Sequence, residues 1–182
     1  MTQRQTYKVE VAGLTRYFPL FEVAPGVRIA IFNMLGDTEI VKAAAPVLAK
    51  KLASKAGDVI VTAEAKSIPL AYELSAIMRL PYVVLRKTYK SYMGRALKAE
   101  TTSITTGKMQ TLYLDEKDKP LIEGQNVILV DDVISTGSTL EGMKSIVVQA
   151  KGEVGATAAV FTEGDFNWAH VIALGNLPVF TD

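Results

Sequence analysis

The chain has no cysteine, so disulfides, thiolate zinc sites and a cysteine nucleophile are excluded. It has a single histidine, His170, close to its only tryptophan, Trp168, and a structural or surface role is expected for it rather than a catalytic one. Charge of one sign is also lacking: 20 basic against 19 acidic residues leave a net charge of +1, which removes a composition-level case for nucleic-acid binding or for a basic membrane-surface protein. No apolar run approaches the ~20 residues that a membrane span needs. The opening stretch, MTQRQTYKVEV, has no apolar core of signal-peptide length, so a cytoplasmic protein is expected. Repeats, low-complexity tracts and linkers are absent. With 182 residues, 49% hydrophobic and 21% charged, one globular domain over residues 1–182 is expected.

What is present is an alternation of apolar strands and helical patterns. YKVEV (7–11) alternates like an edge strand, and GVRIAIFN (26–33) is a second strand. From Asp37, a plausible N-cap with Glu39 in the first turn, the residues Ile40, Ala43, Ala44, Val47, Leu48 and Leu52 share one helical face, with Pro46 predicting a kink or a split. GDVIVTAE (57–64) reads as a buried strand. Ser67 then caps a helix bearing Leu70, Leu74, Ile77 and Met78, with Pro69 in its first turn. PYVVLRK (81–87) and NVILV are further strands, followed by a helix with Leu140, Met143, Val147 and Ala150 inward, and by the strands GATAAVFTE (155–163) and VIALG (171–175). Unbroken apolar strands alternating with helices imply a mostly parallel sheet covered on both faces. Between Lys87 and Gln125 the pattern turns polar and threonine-rich, which fits a hairpin or a long mobile loop.

The most informative stretch is NVILVDDVISTGSTL, from Asn126 to Leu140. Two adjacent carboxylates, Asp131 and Asp132, end an apolar strand, and in open parallel sheets ligands bind beyond such carboxyl ends. The loop that follows leads to a helix N-terminus, whose unpaired N–H groups and positive dipole favour an anion. A sugar phosphate satisfies both halves, with phosphate in the loop and sugar hydroxyls on the aspartates. A plain turn cap is the simpler alternative. A Walker-type site is not supported, because Gly107-Lys108 lacks the upstream glycine and the following Ser/Thr. A receiver-type acidic pair would follow the first strand instead.

Residues 127–139, four apolar residues, two acids, two apolar residues and small-Thr-Gly-small-Thr, resemble the phosphoribosyl-diphosphate (PRPP) signature of type I phosphoribosyltransferases. YFPLFEVAPGVRIAIFN and VTAEAKSIPLAYELSAIMRLPYVVLRKTYK extend the resemblance towards adenine phosphoribosyltransferases over nearly the whole chain. The resemblance implies a central, mostly parallel sheet flanked by helices, a small hood built from both chain ends, and a flexible β-hairpin or loop. It also implies a homodimer that moves ribose 5-phosphate from PRPP to a purine base, adenine first, with Mg²⁺ assistance and release of diphosphate. Carried over by position, Ser135, Thr136, Gly137, Ser138 and Thr139 would hold the 5-phosphate, and Asp131 and Asp132 the ribose hydroxyls. Strand alternation opposes the two carboxylates, so both engage only if the turn begins at Asp132. Ala65, Lys66 and Ser67 would form the diphosphate loop, and Arg86, Lys87 and Lys90 would meet diphosphate charge beneath a closing segment, 88–111. Catalysis would rest on Asp131, Asp132, Arg86 and Lys87, and Arg28 and Ile29 would border the base.

The chain departs from the adenine pattern in three places. Glu-Ala-Arg-Gly is replaced by Glu64-Ala65-Lys66-Ser67, which loses the bidentate fork and the glycine. An aromatic that stacks on adenine is replaced by Ile29. Leu-Glu-Tyr-Gly, whose acid lies near the purine, is replaced by Ile104-Thr105-Thr106-Gly107, with Glu100 as the nearby substitute. Binding of PRPP is therefore better supported than the choice of base. The alternatives are an oxopurine transferase, for xanthine or another base, and a non-catalytic PRPP-sensing regulator. The latter would be expected to add a DNA-binding domain, for which this chain has neither length nor basic excess.

Overall fold

The computed structural model describes residues 4–102 and 109–181. In chain order the elements are β1 (Thr6–Val11), β2 (Leu14–Ala24), β3 (Val27–Ala30), α1 (Thr38–Leu52), β4 (Val59–Ala63), α2 (Ile68–Met78), β5 (Tyr82–Leu85), β6 (Leu97–Thr102), β7 (Met109–Leu114), β8 (Asn126–Ile134), α3 (Ser138–Gln149), β9 (Glu153–Glu163), β10 (Ile172–Leu177) and β11 (Val179–Thr181). Five strands form a parallel sheet in the order β10-β9-β8-β4-β5. The strand β4 hands over to β5 on one side while β8 hands over to β9 and β10 on the other. The crevice between β4 and β8 is thus where the winding reverses, the position at which such sheets bind ligands.

Period-2 alternation divides the sheet residues between two cores. Ile60, Ile128, Val130, Ala158 and Val160 pack with Ile40, Leu48, Leu70 and Leu74 of α1 and α2. Val59, Val61, Val127, Leu129 and Ala159 pack with Leu140, Met143, Ile146 and Val147 of α3. A second, antiparallel sheet, β1-β2-β3-β11, is the hood built from both chain ends. The Arg16 fork on β2 fastens it to the start of α1, with Nε 2.9 Å from Asp37 Oδ2 and Nη2 2.6 Å from Glu39 Oε2. Asp37 caps α1 through a bond from Ile40 N–H at 3.0 Å.

Several expectations need correction. The buried stripe of α1 is Ile40, Val41, Ala44, Ala45, Leu48, Ala49 and Leu52, not one including Ala43 and Val47, because the helix packs against both α2 and the β9–β10 edge. The helix is not split at Pro46, which lies on the exposed side where the freed carbonyl of Lys42 can be hydrated. Ser67 occupies the N-cap position of α2, but its buried hydroxyl bonds Ala63 O at 3.0 Å and makes no cap. The hairpin expected between Lys87 and Gln125 is present in the described residues: β6 and β7 pair antiparallel from Leu97↔Leu114 to Thr102↔Met109, and Met93, Ala99, Leu112 and Leu114 are buried, the last three against α3 and its sheet face. Positions 103–108, including Ile104, Thr105, Thr106 and Gly107, lie outside the described residues.

Candidate active site

Four strand ends converge on the crevice: residues 64–67 after β4, Arg86 and Lys87 after β5, the end of β8, and Glu163 at the end of β9. β8 stays paired with β9 through Ile134↔Thr162, but its alternation slips beside Asp132: Val130 and Val133 both pack on the α1–α2 side, and Ile134 packs on the α3 side. Both carboxylates line one cavity of about 160 Å³ with Glu64, Lys66, Ser67, Lys87 and Thr139. The slip and the end of the β4–β8 ladder at Thr62↔Val130 leave this part of β8 open over the end of β4.

Asp132 N–H donates to Asp131 Oδ1 at 2.9 Å. Burial first, and then repulsion from Asp132, push the Asp131 carboxyl up to about 8. Asp132 is 7% exposed; among the described residues its Oδ2 makes no hydrogen bond, and Lys66 Nζ lies 3.5 Å from it. Lys66 Nζ also donates to Phe32 O at 3.3 Å. The Glu64–Ala65 peptide is cis. Glu64 closes the loop onto β5, accepting from Arg86 Nε at 2.6 Å and from Lys87 N–H at 2.5 Å. Burial opposes ionisation of Glu64, but those two bonds outweigh it and hold the carboxyl below its usual range. Lys87 thereby lines the cavity, whereas Arg86 has its Nε committed to Glu64 and Lys90 lies exposed; neither lines it. Ser67 contributes backbone, because its hydroxyl and that of Thr62 are shared among Ala63 O, Val130 O and each other at 2.7–3.0 Å.

Beside this cavity, a second of about 160 Å³ is walled by Asp131, Val133, Ile134 and residues 135–140. Gly137 is the N-cap of α3, with φ at 81° and no side-chain cap on the helix, so the first N–H groups of α3 are free to meet an anion. A Cβ at Gly137 would stand 2.6 Å from Trp168, which packs over the loop. On the other side, a cavity of about 200 Å³ joins Ile29, Phe32, Lys66, Asp132, Ser135 and Glu163. Arg28 does not line it. As Ile29's neighbour on β3 it faces away, with Nη1 donating to Gln5 Oε1 at 2.8 Å. An aromatic is present there after all, as Phe32. Glu100, the nearby acid, is exposed and paired with Lys98 at 3.1 Å, and it lines none of these cavities. Glu163 and Trp168 were not singled out from the sequence as site residues. An acid ending an apolar parallel strand beside the aspartate pair was the available signal for Glu163.

The family model of the phosphoribosyl transferase domain matches residues 33–165, a stretch that holds α1 through β9 and all three loops just described. The chain belongs to the phosphoribosyltransferase family. It has the type I phosphoribosyltransferase fold, shared at a TM-score of 0.69 with an adenine phosphoribosyltransferase from Thermoanaerobacter pseudethanolicus, at 20% identity over 94% of this chain and 95% of that one. A purine biosynthesis transcriptional activator, PurR, of Lactococcus lactis is 29% identical over 82% of this chain and 54% of its own length. A hypoxanthine/guanine phosphoribosyltransferase of Methanocaldococcus vulcanius is 37% identical over 58% of this chain and 54% of its own. The chain thus spans about half the length of the curated relatives it matches. Among the described residues, no helix of the chain is long and apolar enough to cross a membrane.

Proposed function

We propose that the chain transfers ribose 5-phosphate from PRPP to a purine base and releases diphosphate. One observation carries this reading: the cavity that joins both aspartates, Lys87 and the 64–67 loop opens beside an uncapped helix N-terminus. Phosphate, ribose and diphosphate then find an N–H cradle, two hydroxyl acceptors and a cationic wall, in that order. Residues 135–139 bind the 5-phosphate, Asp131 and Asp132 the ribose hydroxyls, and residues 65–67 with Lys87 the diphosphate. The C1–O bond breaks with its electron pair leaving on diphosphate, a base nitrogen supplies the pair for the new C1–N bond, and the base's ring N–H proton passes to water. The chain's part is positioning, charge stabilisation and exclusion of water. Thr105, opposite the family's acid, lies outside the described residues.

A divalent cation fits the oxygen donors present. Asp132 Oδ2 is buried without a hydrogen bond, yet no group of three or more acidic, His or Cys ligands occurs among the described residues. Mg²⁺ would therefore be held mainly by substrate and water oxygens beside Asp131 and Asp132, and it would neutralise diphosphate charge when bound. The family resemblance supports a homodimer.

A base panel tests the transferase reading. Adenine, guanine, hypoxanthine and xanthine are each incubated with Mg-PRPP while diphosphate release is followed, and release with at least one is expected. The relationship to purine regulators favours a second reading, a PRPP-responsive regulator. PRPP binding without release for any base would select it.

Binding should also release a proton. The free Asp131 carboxyl is held above its usual range, so it is largely protonated at pH 6.5. Ribose hydroxyls donate to the ionised form and favour it. The sign follows: PRPP affinity rises with pH, by up to about tenfold per unit for one proton, and flattens above about 8. Calorimetry at pH 6.5 in buffers of different ionisation enthalpy reads the proton directly, and identical heats would disprove the effect.

A further inference from the structure

The cavity end away from the diphosphate loop holds a carboxylate that the transfer chemistry leaves unused. Glu163 closes β9 and is 7% exposed, yet it lines the cavity shared by Ile29, Phe32, Lys66 and Asp132. Among the described residues its carboxylate has neither a hydrogen bond nor an ion pair. Water reaches its oxygens through the cavity, and an ionised carboxylate there can only accept. Its neighbours do not meet that need, since Lys66 is engaged by Asp132 and by Phe32 O. Ile29, Ala30, Ile31 and Phe32 supply apolar walls for the faces of a flat ring. What is missing is a ring edge that offers donors.

We propose that Glu163 selects the base by accepting from two adjacent N–H donors, which favours a 2-amino-6-oxopurine, guanine, over a 6-aminopurine. This rests on the transferase reading and deepens it. Guanine presents N1–H beside its 2-amino group, two donors for two carboxylate oxygens. Adenine presents one amino donor beside the N1 lone pair, and that lone pair faces the second oxygen repulsively. Hypoxanthine offers N1–H alone, and xanthine offers N1–H between two carbonyls. The base order is therefore guanine, then hypoxanthine, with adenine and xanthine behind. A matched two-bond edge discriminates by roughly 5- to 150-fold.

The test compares the parent chain with Glu163→Gln. The substitution keeps shape and replaces one acceptor by a donor, the pattern complementary to adenine's edge. Two readouts are taken for all four bases: kcat/KM for diphosphate release, and equilibrium dialysis of radiolabelled base, which needs no turnover. Thermal melting confirms that the variant folds. The proposal expects guanine to lead in the parent, and Glu163→Gln to lose roughly 5- to 150-fold with guanine while adenine holds or gains. Adenine leading in the parent, an equal loss for every base, or an unchanged ranking would overturn it. Diphosphate release with an unchanged ranking would sink this inference and leave the transferase standing. Base binding that follows the expected order without release would sink the transferase and leave the role of Glu163 standing. Neither binding nor release with any purine would sink both.

Discussion

Asp131→Asn and Asp132→Asn each lower kcat/KM by roughly 10- to 150-fold without lowering the melting temperature of the free protein. The magnitude is that of one charge-assisted hydrogen bond, about 1.5–3 kcal/mol, lost between a carboxylate and a sugar hydroxyl. The unchanged or raised melting temperature follows from the geometry. Asp132 buries an oxygen without a hydrogen bond, and Asp131 lies in a site that resists its ionisation. Asparagine keeps the shape, and its carbonyl can still accept from Asp132 N–H at position 131. Asp132→Asn removes a poorly tolerated charge and Asp131→Asn replaces a carboxyl already held largely neutral, so neither should cost the fold anything, as expected where activity needs a destabilised arrangement. The simpler alternative, that the pair only caps a turn, has lost its geometric basis, since β8 continues to Ile134. That alternative predicts full activity in both variants. Steady-state kinetics with Mg-PRPP and melting of the same preparations decide between them.

The parts of the site that sequence reading reached are those made by short-range pattern. Residues 127–139 encode strand, acids, small loop and helix start in one continuous run, so their chemistry is visible without knowing what packs on them. The parallel sheet was legible for the same reason, because strands such as VIVTA of β4 are apolar on both faces. The hood was legible only in part. β2 contains Pro19 and mixed polarity, and its pairing with β1 and β3 is visible only once register is known. β11 pairs with β3 across some 150 positions of chain, which no local window reports. The hairpin of β6 and β7 is only faintly legible, because its apolar residues are few and scattered and become a buried row only when the two strands pair against α3. The resemblance carries Arg86 over to the diphosphate by its position at the end of β5. Its commitment to Glu64 comes from the neighbouring strand end. Glu163 and Trp168 were missed because each reaches the site from an element about 30 residues beyond the signature.

Gly137→Val removes the stabilisation that PRPP confers on the parent. At ~100 times its dissociation constant, a ligand that binds only the folded state adds roughly 2.7 kcal/mol. At about 2–4 °C per kcal/mol for a chain of this size, the parent should melt about 5–11 °C higher with Mg-PRPP. Gly137 has φ at 81°, a conformation that costs an L-residue roughly 1–2 kcal/mol, and more if the side chain is β-branched. Any side chain there also meets Trp168 at 2.6 Å, through a rigid indole whose Nε1 is buried without a partner among the described residues. The collision is relieved only by moving Trp168 or by displacing the loop, and displacing the loop turns the α3 N–H groups off the phosphate. The variant should therefore be less stable alone and show little or no ligand shift. The two causes separate in a double-mutant cycle. Gly137→Ala keeps the backbone penalty and the collision, and adding Trp168→Leu relieves the collision alone. Partial recovery of the PRPP shift in the double variant assigns the remainder to backbone conformation. A full PRPP shift in Gly137→Val would show that the loop between β8 and α3 does not hold the phosphate.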